Sequence, residues 1–134
     1  MNTTTTPDPD RLATTVRNYF ASWNETDPQR RLELCEAVWT AHGHYLDPFA
    51  DAHGVAEIDA YLAGMQTQFP DHRVERTTSL DEHHGVVRFG WAGFAPDGTV
   101  AFEGIDVVTV DAEGRFGDLR GFLGDLAPLD LSAA

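Results

Sequence analysis

The sequence contains no lysine, and its nine basic residues, all arginine, are outnumbered by 22 acidic residues in a chain of 134. The resulting formal net charge of -13 repels phosphate backbones and anionic lipid surfaces. No basic arm, arginine cluster or phosphate-binding glycine loop offsets that charge. We therefore expect neither a nucleic acid nor a membrane as a partner, and we favour a small molecule that is not strongly anionic.

Cysteine is almost absent, since Cys35 is the only one. A single cysteine excludes an internal disulfide and is typical of a reducing compartment. The sequence also lacks an apolar run of membrane-spanning length, and its first ten residues lack the basic start and apolar core of a secretory signal. These absences favour a cytoplasmic protein, and the length favours a single domain with its own core.

Three segments carry apolar residues at helical spacing, and the first two begin with Asp-Pro, an N-cap followed by proline in the first helical position. We expect residues 1–7 to be disordered before the first helix. The apolar faces are Leu12, Val16, Tyr19, Phe20 and Trp23 in the first helix, Leu32, Cys35, Val38 and Trp39 in the second, and Val55, Ile58, Leu62, Met65 and Phe69 in the third. Pro70 ends the third helix.

Strand-like composition dominates the second half of the chain. A short strand at residues 44–47 leads through a loop to Gly54. Four longer strands are predicted at residues 73–80, 86–94, 100–110 and 115–123, separated by turn-forming segments at 81–85, 96–98 and 111–114. The pattern predicts an α+β domain over residues 8–124, in which three helices cover the concave face of one curved, mainly antiparallel sheet and leave an internal pocket. Residues 125–134 are expected to form a loosely held tail.

Asp106 interrupts an apolar row on the strand predicted at residues 100–110. Phe102 and Val108 share its parity, so the period of two directs the Asp106 side chain into the domain. Burial there raises the pKa of a carboxyl group and favours its protonated form, which can donate a hydrogen bond. A bulge near Gly104 would instead turn Asp106 to solvent, and an acid with a purely structural role fits the same pattern.

Two further side chains are candidates for chemistry. Tyr19 lies in the apolar stripe of the first helix, where its hydroxyl is a second candidate donor or simply a core group bonded to a backbone carbonyl. Asp47 follows Tyr45 and Leu46 and precedes Pro48, at the end of a short strand. It is a candidate base at a pocket mouth, although aspartate before proline is also a common turn residue.

Together these residues resemble ketosteroid isomerase, within the superfamily of SnoaL-like and nuclear transport factor 2-like (NTF2-like) domains, over nearly the whole chain. The segment NYFASWN at residues 18–24 resembles the isomerase helix that carries the oxyanion-binding tyrosine. Leu46-Asp47-Pro48 resembles the segment of its general base, and Gly104-Ile105-Asp106 resembles the strand of its protonated aspartic acid. The resemblance implies a cone-shaped NTF2-like fold with Tyr19, Asp47 and Asp106 in those roles.

The resemblance also implies a reaction. Asp47 would move a proton next to a carbonyl group, while Tyr19 and Asp106 hold the resulting oxyanion in an apolar pocket. It implies a small hydrophobic substrate, no cofactor, no metal and a homodimer. The expected pocket wall is Phe20, Trp23, Trp39, Tyr61 and Trp91.

A metal site is one alternative. His42 and His44 would share a face of a strand, and Asp47 and His53 are close in sequence. Imidazole and carboxylate ligands suit zinc or iron, but the four residues form no compact metal-binding motif.

Three other functions stay open. Asp118 and Arg120 alternate on one strand, and with Asp106 they would give the acid–arginine–acid arrangement of limonene-type epoxide hydrolases, or else an ordinary ion pair. A SnoaL-type cyclase is a related alternative. The pocket would also suit a protein that binds a hydrophobic ligand without converting it.

Overall fold

The computed structural model describes residues 6–132. Its helices are α1 (Pro9–Asn24), α2 (Pro28–Val38) and α3 (Gly54–Gln68). Its strands are β1 (Trp39–Asp47), β2 (Ala50–His53), β3 (Arg73–Arg76), β4 (Asp81–His83), β5 (Val86–Phe94), β6 (Val100–Val110) and β7 (Phe116–Leu123). The predicted disordered segment 1–7 lies mostly outside the described residues, and Pro7 within them is buried. Residues 125–132 contain no helix or strand and are exposed.

The first two helices begin where the Asp-Pro pairs predict. The Asp8 carboxylate accepts the backbone N–H of Asp10 at 2.8 Å, and the Asp27 carboxylate accepts that of Arg30 at 2.9 Å. These side chains bind N–H groups that have no partner within the helix, and proline follows each cap because the first turn needs no N–H there.

The second helix differs from the prediction on its buried face. Leu32 is 36% exposed, whereas Arg31 is only 6% exposed. Arg31 Nε donates to Asp59 Oδ1 at 2.9 Å, and its Nη1 donates to the Gln66 side-chain oxygen at 3.2 Å. Because these partners on α3 satisfy the guanidinium, a charged side chain takes the place expected for the apolar one.

Trp39 was predicted in the second helix, and that assignment is wrong. It is the first residue of β1, with extended backbone angles (φ -99°, ψ 145°), and its Cα is paired with that of Phe116 in β7. Aromatic residues favour strands, and helical spacing alone does not distinguish the last turn of a helix from the strand that follows it. The first strand is therefore longer than the predicted 44–47.

All seven strands form one sheet in the order β2-β1-β7-β6-β5-β3, with β4 also paired to β5. The β1–β7 pairing is parallel and the other pairings are antiparallel. The predicted meander is confirmed as β3, β5, β6 and β7, although β3 ends at Arg76 rather than residue 80. Strands β2 and β4 occupy a predicted loop and a predicted turn, because these short polar segments lack the apolar alternation that marks a strand.

The core lies between the sheet and the helices that cover it. Val16 of α1, Leu62 of α3 and Phe89 of the sheet are at most 2% exposed and belong to one apolar cluster. Three helices on one side of a curved sheet confirm the predicted α+β architecture. Among the described residues, no helix is both long and apolar enough to span a membrane.

On the outer face of the sheet, Ile105 and Phe122 are cross-strand partners with exposures of 47% and 59%. The expected homodimer stays a prediction.

Candidate functional site

A cavity of about 430 Å³ lies between the sheet and helices α1 and α3. The polar side chains in its wall are Tyr19, Tyr45, Asp47, Tyr61, Gln68 and Asp106. Aromatic and aliphatic side chains form the rest, and Phe49 and Leu123, which are exposed, lie at its rim. The size is that of a site for a small organic molecule, and the few polar groups are the ones that would orient it.

Tyr19 and Asp106 form a buried hydrogen-bonded pair in this wall. The Tyr19 hydroxyl donates to Asp106 Oδ2 at 2.9 Å, and the two residues are 3% exposed. Burial raises the pKa of Asp106 to about 7, the hydrogen bond from Tyr19 opposes this rise, and the charge of Asp47 adds to it. Burial and the neighbouring Asp106 charge raise the pKa of Tyr19 well above its ordinary value. Near neutral pH the pair therefore contains a neutral phenol and a carboxyl group that is protonated in a large fraction of molecules.

Asp47 is held by three donors. Its Oδ2 accepts the hydroxyls of Tyr45 at 2.7 Å and Tyr61 at 2.9 Å, and its Oδ1 accepts the backbone N–H of Phe49 at 2.8 Å. Burial raises the pKa of both tyrosines, so both hydroxyls keep their protons. A carboxylate offers about four acceptor sites, so about one remains for a ligand.

Strand register explains why the two acids meet. Asp106 of β6 pairs with Gly121 of β7, and on the other side of β7 Leu46 pairs with Arg120, which places Asp47 beside Gly121. The three residues form a row across β6, β7 and β1 on the inner face of the sheet. The β5–β6 register shifts at residues 100–102 of β6, but both registers run unbroken through residues 104–108, so the irregularity does not turn Asp106 to solvent.

The family model of the SnoaL-like domain matches residues 16–117, a span that includes Tyr19, Asp47 and Asp106. The chain belongs to the SnoaL-like family. A search of curated proteins finds no match.

Solved structures agree with this SnoaL-like assignment. A SnoaL-like family protein from Agrobacterium tumefaciens, described as a candidate isomerase, is 33% identical, with a TM-score of 0.80 over 87% of this chain and 99% of that one. A candidate SnoaL-like polyketide cyclase from Jannaschia is 16% identical, with a TM-score of 0.67 over 88% and 90% of the two chains. The epoxide hydrolase/cyclase-like enzyme SalBIII, which has a role in pyran ring formation in the polyether salinomycin, is 23% identical. Its TM-score is 0.66 over 87% of this chain and 93% of that one. The expected NTF2-like fold is confirmed.

The SnoaL-like cavity contains most of the predicted wall. Phe20, Trp23, Tyr61 and Trp91 line it. Trp39 does not, because it is 2% exposed and packs in the core, where its ring lies 5.6 Å from that of Phe116. This difference follows from the placement of Trp39 in β1.

Tyr45 is one of the cavity residues that were not predicted as part of the site. It was treated only as an apolar neighbour of Asp47, and Tyr61 only as part of the wall. Tyr45 precedes Asp47 by two positions on one strand, so the period of two already placed the phenol and the carboxylate on the same face. The Tyr61 hydroxyl reaches Asp47 from α3, a contact that no local pattern in the sequence indicates.

Trp91 influences Asp106 from the cavity wall. The indole is near enough to lower the pKa of Asp106 in part, against the larger effect of burial. Its N–H is buried and makes no hydrogen bond of ordinary geometry within residues 6–132.

The acid–arginine–acid arrangement does not form in this SnoaL-like domain. Arg120 Nη2 binds Asp118 Oδ2 at 3.2 Å, with side chains 60% and 42% exposed. Both residues project from the outer face, whereas Asp106 points into the cavity. Asp118 and Arg120 are an ordinary surface ion pair.

His42, His44 and His53 do not line the cavity. His44 and His53 come together with Asp51, which the sequence analysis did not consider. His42 is exposed and lies outside this group, and Asp47 belongs to the cavity.

Proposed function

We propose that this SnoaL-like domain is a cofactor-independent enzyme that moves a proton next to the carbonyl group of a small hydrophobic molecule. The observation that supports it most strongly is the buried Tyr19–Asp106 pair, joined at 2.9 Å, in the same cavity wall as the Asp47 carboxylate. A neutral phenol and a carboxyl group that is protonated in a large fraction of molecules near pH 7 thus share a largely apolar cavity with one fixed acceptor. That combination suits a reaction in which negative charge appears on an oxygen atom.

The proposed reaction has two proton transfers. The free acceptor site of Asp47 takes a proton from the carbon next to the carbonyl, and the electron pair moves onto the carbonyl oxygen to form a dienolate. When substrate binds, the Tyr19 hydroxyl turns from Asp106 Oδ2 to that oxygen, and protonated Asp106 donates a second hydrogen bond to it. Both bonds are stronger in the transition state than in the ground state. Asp47 then returns the proton to the far carbon of the conjugated system, as in ketosteroid isomerase. Atoms and charge balance without a redox group.

The fixed position of Asp47 suits the role of a proton carrier. Its three donors, at 2.7 to 2.9 Å, prevent the carboxylate from rotating between the two transfers. A base must remain within hydrogen-bonding reach of both carbon atoms. The rate therefore depends on the orientation of the carboxylate as well as on its basicity.

The substrate class follows from the wall. Few polar groups line the cavity, and aromatic rings such as Trp23, Trp91 and Phe102 dominate it. The net charge of -13 disfavours an anionic substrate. We therefore infer a neutral, largely apolar ketone, and the similarity to the Agrobacterium candidate isomerase supports the same class of chemistry.

The test uses two probes: a β,γ-unsaturated 3-ketosteroid and a smaller β,γ-unsaturated cyclohexenone. Formation of the conjugated enone is followed by its ultraviolet absorbance. We expect Asp47→Asn to lower kcat/KM by roughly 100-fold or more, as is usual when a general base is lost. Asp118→Asn is the matched control, because it makes the same chemical change on the outer face, and it should leave turnover unchanged.

Two results would count against the proposal. Turnover that survived Asp47→Asn would place the base elsewhere. A wild-type protein that bound the probes, as measured by tryptophan fluorescence, without converting either of them would support the ligand-binding alternative.

A further inference from the structure

A second group of polar side chains lies on the β1–β2 hairpin, outside the cavity. Tyr45 and Asp47 of β1 point into the cavity, so His44, which has the opposite parity, points to the outer face. His44 pairs with His53 across the hairpin, and Leu46 pairs with Asp51. The side chains of His44, Asp51 and His53 therefore share one face of two paired strands.

Their donor atoms converge. His44 Nε2 lies 2.6 Å and His53 Nε2 lies 3.1 Å from the same carboxylate oxygen, Asp51 Oδ1. The two imidazole rings are stacked, with centroids 3.9 Å apart and planes 18° from parallel. One donor atom from each of the three residues lies within 4.8 Å of the other two. A simple ion pair would need only one of these histidines.

We propose that His44, Asp51 and His53 bind a divalent transition metal ion such as Zn²⁺, with water completing the coordination. Two imidazole nitrogens and one carboxylate oxygen are ligands that zinc, nickel and copper accept. Zinc bonds to such atoms measure roughly 2.0–2.2 Å, which sets tetrahedral ligand atoms about 3.3 Å apart. The present contacts to Asp51 Oδ1 are shorter than this spacing by about 0.7 Å for His44 and about 0.2 Å for His53. To bind one ion, the carboxylate has to move away from the imidazoles and the stacked rings have to splay apart.

The surroundings permit that movement. The side chains of Asp51 and His53 are 62% and 66% exposed, so rotation about their side-chain bonds meets little resistance. The backbone of His53 is fixed, since its N–H is bound by Glu57 at 2.8 Å and α3 begins at the next residue. The scaffold is therefore rigid while the ligand atoms are adjustable.

A neighbouring carboxylate supports the same site. Asp118 of β7 pairs with His44 of β1, so its side chain lies on the same outer face. Asp118 Oδ1 is buried and lacks a hydrogen-bond partner among residues 6–132. A histidine that ligates a metal through one nitrogen commonly donates its other N–H to a carboxylate, and Asp118 Oδ1 is an unused acceptor one strand from His44.

The consequence for the fold is local. A metal bound here would join β1 to β2 on the outer face, close to the end of the hairpin where Asp47 pairs with Ala50. It would stabilise the hairpin without entering the cavity. The proposal is thus independent of the proposed enzymatic function.

Zinc titration of the full-length protein, with any purification tag removed, tests the site. Calorimetry should show one ion bound per chain. His53→Gln and Asp51→Asn should each weaken binding by more than about tenfold, since even the outer-shell partners of a metal contribute roughly 10- to 100-fold. Zinc should also raise the melting temperature of the wild-type protein and not that of His53→Gln.

The matched control is the double variant His83→Gln/His84→Gln. These exposed histidines, whose Nδ1 atoms are 3.2 Å apart, lie together at the β4–β5 turn, and among residues 6–132 no carboxylate joins them in a metal-binding arrangement. The control should bind zinc as the wild-type protein does. The proposal would be overturned if the wild-type protein did not bind zinc stoichiometrically. It would also be overturned if His53→Gln and Asp51→Asn bound zinc as tightly as the wild-type protein.

Discussion

Gly121 lies directly opposite Asp106 in the register of β6 and β7, and a β-carbon added at residue 121 would lie 2.9 Å from Asp106 Oδ1. The same β-carbon would lie 3.4 Å from Cβ of Asp47. Because no side chain separates them, the two acids share one part of the cavity wall, and the charge of Asp47 contributes to the raised pKa of Asp106. The arrangement of these acids thus depends on a residue with no chemistry of its own.

Gly121→Ala should therefore impair turnover without unfolding the protein. The added methyl group has to displace the Asp106 carboxyl group, whose hydrogen bond to Tyr19 would lengthen or break. A misplacement of about 1 Å in a catalytic group can cost roughly 100-fold in rate, and we expect a loss of that order in kcat/KM. Steady-state kinetics on the converted probe, with circular dichroism to verify folding, provides the measurement.

Gly64→Ala is the control for this substitution. Gly64 lies in α3, is exposed, and a β-carbon there would meet nothing within 4 Å. Alanine should leave activity unchanged and stabilise the helix by about 0.5–1 kcal/mol. If Gly121→Ala had the same kcat/KM as the wild-type protein, the spacing of the two acids would not limit the reaction.

The buried Asp106 should also make stability depend on pH. Its pKa is about 7 in the folded protein against an ordinary value of 3.8, so the folded state holds a proton that the unfolded state has released. This contribution is complete below about pH 4 and is lost as the pH rises through 7. The two pKa values correspond to a decrease on the order of 4 kcal/mol in the free energy of unfolding.

Asp106→Asn isolates that effect, because asparagine is nearly isosteric and does not titrate. Urea unfolding at several pH values should show that the variant gains stability relative to the wild-type protein between pH 4 and 8. Asp118→Asn, with its exposed side chain, should follow the wild-type curve. Parallel curves for the wild-type protein and Asp106→Asn would mean that Asp106 is ionised in the folded state throughout this range.

Most of the fold could be predicted from local patterns. The Asp8 and Asp27 caps fix the starts of α1 and α2, and strand-like segments between turn-forming residues predict the bounds of β5 and β6. Strand β2 was missed because its four residues, ADAH, are mostly small or polar, and it forms by pairing with β1. Pairing is a non-local interaction that a four-residue segment does not reveal.

The residues of the candidate site were likewise predictable only where a local pattern marks them. Tyr19 and Asp106 follow from the helical and strand periods, since each lies on an apolar face. Gly121 could not be predicted, because its role comes from the register of three strands. Asp51 was missed for a related reason, since the β1–β2 hairpin brings it to His44.

Arg31 should be far more important for stability than its neighbour Arg30. Arg31 is buried and binds Asp59 at 2.9 Å, whereas the Arg30 side chain is 73% exposed and binds Glu25 at 3.1 Å. Replacing Arg31 with methionine leaves the partly buried Asp59 without its partner, a change that typically costs about 3–5 kcal/mol. Arg30→Met should cost about 1 kcal/mol or less. Similar losses in denaturant unfolding would show that burial of the Arg31 pair contributes nothing extra.

The two tyrosines that bind Asp47 should act as mutual substitutes. Tyr45 and Tyr61 both donate to Oδ2, from β1 and α3 respectively, so either one alone can hold that oxygen. Tyr45→Phe and Tyr61→Phe keep the rings and should each lower kcat only a few-fold. The double variant frees Oδ2 and should lose more than the product of the single effects, with an interaction energy on the order of 1 kcal/mol. A double-mutant cycle on kcat measures this energy directly, and strict additivity would show that the two hydroxyls position Asp47 independently.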